Sequence, residues 1–387
     1  MGAYIERKIS ESIKEAAKSY SVITITGPRQ SGKTTLIRHL FPDLPYYSLE
    51  NLDVRNLAES DPVGFLNSSS VGLVLDEVQN APQLFSYMQG IVDENHDMCF
   101  VVSGSSNFAM MKSITQSLAG RTAVFELLPL SLEEVKDSAS AMALDDLLFR
   151  GFYPAIWSGG KNPGLMYQNY VTTYLERDVR DLLAIKDLDA FRKFLCLCAT
   201  RIGSIFNASE LSGEVGVAVN TIKSWLSVLT ASYVVVMLQP FYENTRKRLT
   251  KSPKLYFVDP GLACSLLEIE SANQLRRDKM RGHLFENFIV AEALKSRFNS
   301  GRANNLCFYR DSNGNEVDLI IKKEGMLRLF EIKSSETFHT DFEKGIKSFC
   351  AEFPDKVESA AIVYAGSLEN TTRSIKLINY KNIPDFM

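Results

Sequence analysis

The stretch Gly27-Pro28-Arg29-Gln30-Ser31-Gly32-Lys33-Thr34 decides the reading of this chain. It matches the pattern G-x-x-x-x-G-K-[ST] and follows the alternating β-branched run from Val22 to Thr26. It then opens Thr35-Leu36-Ile37-Arg38-His39-Leu40, a helical segment, so strand, loop and helix stand in the order that a phosphate-binding loop needs. The residues expected to cradle a nucleotide are Gly27, Pro28, Arg29, Gln30, Ser31, Gly32, Lys33, Thr34 and Thr35. Successive backbone N–H groups of such a loop converge on phosphates at the positive end of the helix. Lys33 would neutralise the β- and γ-phosphates of ATP, and Thr34 would place its hydroxyl on Mg²⁺.

A second element completes this chemistry. Val71-Gly72-Leu73-Val74-Leu75-Asp76-Glu77 reads as a buried parallel strand ending in two carboxylates. Asp76 is expected to hold Mg²⁺ through water. Glu77, one residue on and facing the other side of the strand, is expected to orient and deprotonate the attacking water. A further strand, Cys99 to Gly104, runs into Ser103-Gly104-Ser105-Ser106-Asn107, where Ser103 or Ser105 either bonds the γ-phosphate or lytic water or belongs to an ordinary polar turn. In this class the polar strand lies between the strands carrying the P-loop and the acids. Arg121 precedes a fifth strand (Thr122 to Leu127) and is either an arginine finger reaching a neighbouring subunit's γ-phosphate or a solvated strand-leading residue. The catalytic candidates are thus Lys33, Glu77, Ser103 and Arg121.

Composition bounds the alternatives. At 387 residues, 45% hydrophobic and 23% charged, the chain has the make-up of an ordinary globular protein of two or three domains. A net charge of −3 requires that any nucleic-acid contact come from a local basic patch. The start carries no apolar leader and the longest apolar runs are too short to span a bilayer, so a cytoplasmic protein without membrane contact is expected. The six cysteines are scattered, and Cys196-Leu197-Cys198 fits packed helix rather than a metal site.

GPRQSGKTTL, LVLDEVQNAP, VVSGSS and SLAGRTAVFELLPLSLEEV together resemble the AAA-type ATPases of bacteria and archaea that carry a C-terminal domain of uncharacterised role. RGFYPAIW, YLERDVRDL, FVDPGLA, GHLFENFIVAEAL and the EVDLII…EIKSS pair extend that resemblance over nearly the whole chain. It implies an ASCE-class P-loop ATPase fold, a winged-helix segment and a restriction-endonuclease-like core. AAA-type sites usually sit at subunit interfaces, so the resemblance also makes a homo-oligomer an expectation.

Residues 144 to 185 read as helical with an interruption at Gly159 to Gly164, the expected hinge. Within them Glu176 faces Arg180 and Arg177 faces Asp181 at i, i+4 spacing, either a salt-bridged face or a lid sensor for nucleotide. Residues 207 to 258 read as a winged helix-turn-helix: Asn207 caps a short helix, Gly213 to Gly216 make the turn, and Ala218 to Leu229 form a second helix with the stripe Val219, Ile222, Leu226 and Leu229. Asn220 and Lys223 lie on its opposite face, and Arg246, Lys247, Arg248 and Lys251 form a wing tip free of acids. These six are the expected DNA contacts, with a protein-docking winged helix as the other reading.

In the last third, Glu286 stands in the first turns of an apolar helix opening at Arg281. Two alternating strands follow, Glu316 to Ile321 and Leu327 to Lys333, joined around Glu324-Gly325. The set Glu286, Asp318, Glu331 and Lys333 is similar to that of the PD-(D/E)xK superfamily. In it Asp318 and Glu331 bind Mg²⁺ and Lys333 supports a nucleophile, or the fold is kept for binding alone. The expected architecture is α/β throughout. A P-loop parallel-sheet domain spans 1–160, a helical lid or linker 161–205, a winged helix 206–262 and a nuclease-like domain 263–387.

Overall fold

Five parallel strands order the first third of the chain: β1 (Val22–Thr26), β2 (Tyr46–Ser48), β3 (Val74–Asp76), β4 (Phe100–Gly104) and β5 (Thr122–Glu126). The computed structural model describes residues 4–95, 97–104, 117–175, 187–242 and 252–387. The strand order is β2-β3-β4-β1-β5. Every residue of β1 is buried, as a β-branched strand between two neighbours and beneath helices requires. The order places β4 between β1 and β3, so Thr26, Asp76 and Gly104 end three adjacent strands on one edge. Helices α1 (Ser10–Ala16), α2 (Lys33–Leu40), α3 (Leu52–Ser60), α4 (Pro62–Leu66) and α5 (Leu84–Glu94) accompany the sheet. The chain ahead of α1 is held by Arg7, which donates to the carbonyls of Ser31 and Leu128.

The middle of the chain is helical: α6 (Leu144–Arg150), α7 (Pro154–Trp157), α8 (Pro163–Tyr170), then α9 (Leu188–Ala199), α10 (Ala208–Val215) and α11 (Val219–Ala231). The charged face expected at Glu176, Arg177, Arg180 and Asp181 lies outside the described residues. Asn207 caps α10 as expected, with its side chain accepting from the N–H groups of Ser209 and Glu210. The turn is shorter than expected: Gly213 stays helical, and Gly216, with φ of 86°, ends the helix. In α11 the buried face is Ile222, Trp225, Val228 and Leu229, with Val219 and Leu226 at its margins. Trp225 displaces the aliphatic stripe because its ring packs on Phe191 and Phe194 of α9, at 5.3 and 5.5 Å between centroids.

Strands β6 (Val235–Pro240) and β7 (Lys254–Phe257) form an antiparallel pair, and Ile205 bridges to Lys254 on the far side of β7. Helix α12 (Pro260–Leu266) follows. The remaining elements are α13 (Arg281–Asn299), β8 (Leu306–Arg310), β9 (Glu316–Lys323), β10 (Met326–Lys333), α14 (Lys344–Glu352), β11 (Val357–Tyr364) and β12 (Ile375–Asn379). The β9–β10 turn is Glu324-Gly325 with φ of 51° and 82°, the two-residue connection whose twist matches a hairpin. β11 runs parallel to β10. Unexpectedly, β6 also pairs in parallel with β8, so one seven-stranded sheet, β12-β11-β10-β9-β8-β6-β7, joins the middle of the chain to its end.

One apolar cluster runs from Leu128 to Ile383, across all the expected divisions after the first domain. Asn287 of α13 ties it together: fully buried, its amide accepts from Phe257 N–H at 2.6 Å and donates to Phe257 C=O at 3.0 Å, acting as one more strand beside β7. No helix among the described residues is long and apolar enough to cross a membrane. Asn287→Ala leaves both Phe257 groups buried without a partner. We expect a loss of about 2–4 kcal/mol of stability, read as a fall in the thermal unfolding temperature of the intact chain.

Candidate functional site

The P-loop is built by its own cations. Gly27 has φ of 147°, and a Cβ there would lie 2.1 Å from the Leu127 carbonyl oxygen, so only glycine admits the close passage onto β5. Lys33 Nζ donates to the Gly27 and Pro28 carbonyls at 2.9 and 3.0 Å, and Arg7 Nη1 donates to Ser31 C=O at 2.8 Å. Three loop carbonyls are thereby taken, which leaves the loop's N–H groups as the donors to an anion. Burial lowers the Lys33 ammonium to about 8 against the opposing pull of Glu77 and Asp76. A bound polyphosphate would favour its charged form. Arg7 is itself buried, held also by Leu128 C=O at 2.7 Å and Glu134 at 3.1 Å. Pro154, from the RGFYPAIW stretch, lies 3.7 Å from a Cβ placed on Gly32. Neither residue is marked by the P-loop pattern.

Asp76, at the end of β3, gathers the rest. Its Oδ2 accepts from Thr34 Oγ1 and from Tyr46 O–H, each at 2.6 Å, and its Oδ1 accepts from Ser103 Oγ and from Glu77 N–H. Ser103 thus sits where a polar residue on the strand between β1 and β3 was expected. Ser105 lies outside the described residues. The phenol of Tyr46 is raised by burial and by its bond to Asp76, and Arg38 stacks 3.9 Å from its ring centroid. A hydroxyl and a carboxylate 2.6 Å apart, both hard oxygen donors, fit Mg²⁺. Thr34 and Asp76 would hold the ion, which would offset the charge of the phosphates.

One expectation needs correction, and Arg121 takes the second of its two readings. Glu77 does not owe its position to strand alternation: β3 stops at Asp76, and Glu77 has φ of 55° in the left-handed region, with its carboxylate accepting from Gln79 Nε2. Arg121 precedes β5, which is parallel to β1, so it stands at the sheet edge opposite the P-loop. There it makes a bidentate pair with Asp93 at 2.5 and 2.8 Å. It cannot reach this chain's own γ-phosphate, and a role in trans would require that pair to open.

A contact absent from every local pattern joins this edge to the segment that follows α11. Tyr233, two residues past α11, places its hydroxyl 2.7 Å from Thr26 Oγ1 and 2.8 Å from Glu126 Oε1.

The C-terminal set is brought together as expected, with additions. Asp318 on β9 and Glu331 on β10 stand one step beyond the paired residues Leu319 and Phe330. Asp318 Oδ2 accepts from Ile332 N–H at 2.8 Å and Lys333 at 3.4 Å, and Lys333 pairs with Glu331 at 2.6 Å. Burial and the nearby Asp318 push the Glu331 carboxyl up to about 8, against Lys333. Glu286 is committed differently: Tyr256 O–H donates to it at 2.5 Å and Lys254, 2% exposed, at 3.2 Å. Lys254 also pairs with Glu316. Burial raises the Glu286 carboxyl, and Gly203 closes over it, since a Cβ there would meet its oxygens at 3.1–3.3 Å. Among the described residues no group of three or more acid, His or Cys side chains is arranged to hold a metal. Asn220 and Lys223 are exposed on α11, while Arg246, Lys247, Arg248 and Lys251 lie outside the described residues.

The 5-strand order, the phosphate loop and the Thr34–Asp76–Ser103 convergence define a P-loop ATPase of the AAA class. Residues 19–136 match the AAA domain family, while residues 141–273 and 281–383 match two domains of unknown function, DUF8612 and DUF4143. The chain belongs to the family of AAA-domain proteins that includes uncharacterised proteins of Mycobacterium tuberculosis and Mycobacterium bovis. Each is 31% identical over 369 residues, covering 94% of this chain and 80% of the relative. An uncharacterised protein of Methanocaldococcus jannaschii is 24% identical over 84% of this chain and 77% of its own. Among solved structures, a Walker-type ATPase of Pyrococcus abyssi aligns over 68% of this chain and 96% of its own, with 12% identity and a TM-score of 0.47. ATP is therefore the ligand of the N-terminal site, and Mg²⁺ the ion that the family implies there.

Lys33→Ala is expected to abolish ATP turnover with the fold intact, and full activity in that variant would overturn the site. Glu77→Gln should retain ATP binding and lose hydrolysis. Because Asp76 keeps Thr34 and Ser103, Tyr46→Phe should lower turnover only by about three- to tenfold, measured as steady-state phosphate release.

Proposed function

We propose that this ATPase couples its nucleotide state to DNA binding through a winged helix and a nuclease-like C-terminal domain. The observation that carries the reading is the position of the middle segment: it bonds to the P-loop strand through Tyr233 and shares a sheet with the C-terminal acids through β6. The succession α9, the Ile205 bridge, α10, α11, β6 and β7 supports a winged helix, and α13, β8–β10, α14 and a parallel β11 supports a nuclease-like core. Asn220, Lys223, Ser224 and Ser227 form the exposed face of α11, the side chains a groove-reading helix needs.

Labelled duplex DNA titrated with the full chain at modest salt, with ATP, with ADP and without nucleotide, tests this. The expected outcome is an affinity that changes with nucleotide, loses that response in Lys33→Ala, and weakens in Lys223→Ala and in the Arg246, Lys247 and Arg248 to Ala triple variant. Unchanged affinity in both basic-residue variants would transfer the winged helix to protein docking.

A second reading, metal-dependent DNA cleavage licensed by ATP, is favoured by one atom: among the described residues no donor reaches the buried Glu331 Oε2. Asp318 and Glu331 would hold Mg²⁺, which would activate water for phosphodiester hydrolysis, with Lys333 beside both carboxylates. Cleavage of linear or supercoiled DNA that is lost in Lys333→Ala would establish it. Normal ATP hydrolysis without cleavage would leave the domain a docking platform.

A further inference from the structure

We propose that Tyr233 is a positioning residue for ATP, through which the helix-turn-helix segment sets the geometry of the P-loop. The proposal deepens the coupling reading above, because it names the contact by which the middle segment acts on the nucleotide site. Tyr233 is 207 residues from Thr26 in sequence and 107 from Glu126, yet its hydroxyl touches both at 2.7 and 2.8 Å.

The hydrogen-bond inventory fixes a direction. A phenol has one proton, and the carboxylate of Glu126 can only accept, so Tyr233 donates to Glu126 and must accept from Thr26. The other acceptor within reach of Thr26 Oγ1, the Phe125 carbonyl, lies at 3.4 Å, too long to compete. The result is a one-way relay, Thr26 to Tyr233 to Glu126. Its two ends are register partners on β1 and β5, so one phenol clasps both strands where they end. Two members of the clasp are out of water, Tyr233 at 7% exposed and Thr26 at 0%, while Glu126 is half-buried.

Beyond the clasp there is no slack. Leu127 N–H closes the last rung by donating to Thr26 C=O at 2.7 Å, and the next residue is Gly27, whose Cα faces the Leu127 carbonyl. The Gly27 carbonyl in turn accepts from Lys33. A displacement of Thr26 therefore moves the first residue of the P-loop and an anchor of its lysine together. On the other side, Tyr233 is reached directly from α11, and its φ of 56° holds a bulky residue in the left-handed region, a conformation the packing around it must maintain. A rotation of α11 shifts the phenol before it shifts anything else at the site.

Steady-state ATP hydrolysis by the full chain, without DNA, tests this in Tyr233→Phe, Thr26→Val, Thr26→Ser and the Tyr233→Phe/Thr26→Val double variant. We expect KM for ATP to rise roughly three- to tenfold in each of the first two, with no further rise in the double variant, a wild-type KM in Thr26→Ser, and kcat within about twofold throughout. An unchanged KM alongside a lowered unfolding temperature would make the contact structural only and overturn the proposal. Multiplicative effects in the double variant would overturn it as well, since Tyr233 would then act by some route other than Thr26. Should Tyr233→Phe fail to fold, the Thr26→Val and Thr26→Ser pair decides: an equal KM in both overturns the proposal. Indifference of wild-type ATPase activity to duplex DNA would remove the DNA reading while leaving these KM values to decide this one.

Discussion

Everything in the N-terminal third turns on one buried carboxylate. Asp76 collects a hydroxyl from the P-loop helix, a second from the strand between, a third from the edge strand and the N–H of the next residue. Four donors on one charge offset much of what it costs to take that charge out of water. They also fix four pieces of chain relative to one another. The strand order makes this possible: were β4 not between β1 and β3, Ser103 and Thr34 would not flank the same oxygen pair. The site is thus held in shape by its own polar groups as well as by the apolar packing beneath it.

The C-terminal charges follow a different economy of space. Lys254 and Lys333 each sit between two carboxylates, dividing four acids into two pairs in a volume where an unpaired ion is untenable. One of those lysines comes from the hairpin strand β7 and not from the acid-bearing domain, so the middle segment supplies half of the compensation. Glu331 keeps one oxygen outside this scheme, and that oxygen distinguishes its pair from the one around Lys254.

Much of this was legible in the chain. The run Val22 to Thr26, the loop after it, the apolar approach to Asp76 and the alternation on either side of Glu324-Gly325 each carry a local signature, and each became the element it foretold. What escaped had no local signature. Tyr46, Arg7, Tyr233 and Lys254 are ordinary residues until a partner far along the chain is placed against them. The stripe of α11 was misjudged at Trp225 because the rings that bury it belong to α9. Alternation assigns Glu77 at the point where the strand has already ended, and nothing near Gln239 and Pro240 announces their pairing with Cys307 and Phe308. Period and spacing report what a segment does with its neighbours in sequence. They are silent on which segments meet.

The double pairing of β6 has a consequence for how the chain can be divided. With β7 on one flank and β8 on the other, the strand belongs to two families of residues at once, and the polypeptide between α12 and α13, which buries Ile269, Leu275 and Met280 in the shared core, is no border. A protease that severed that connection would release nothing: the two fragments would remain laced by the Gln239–Cys307 and Pro240–Phe308 rungs and by the Asn287 amide on Phe257.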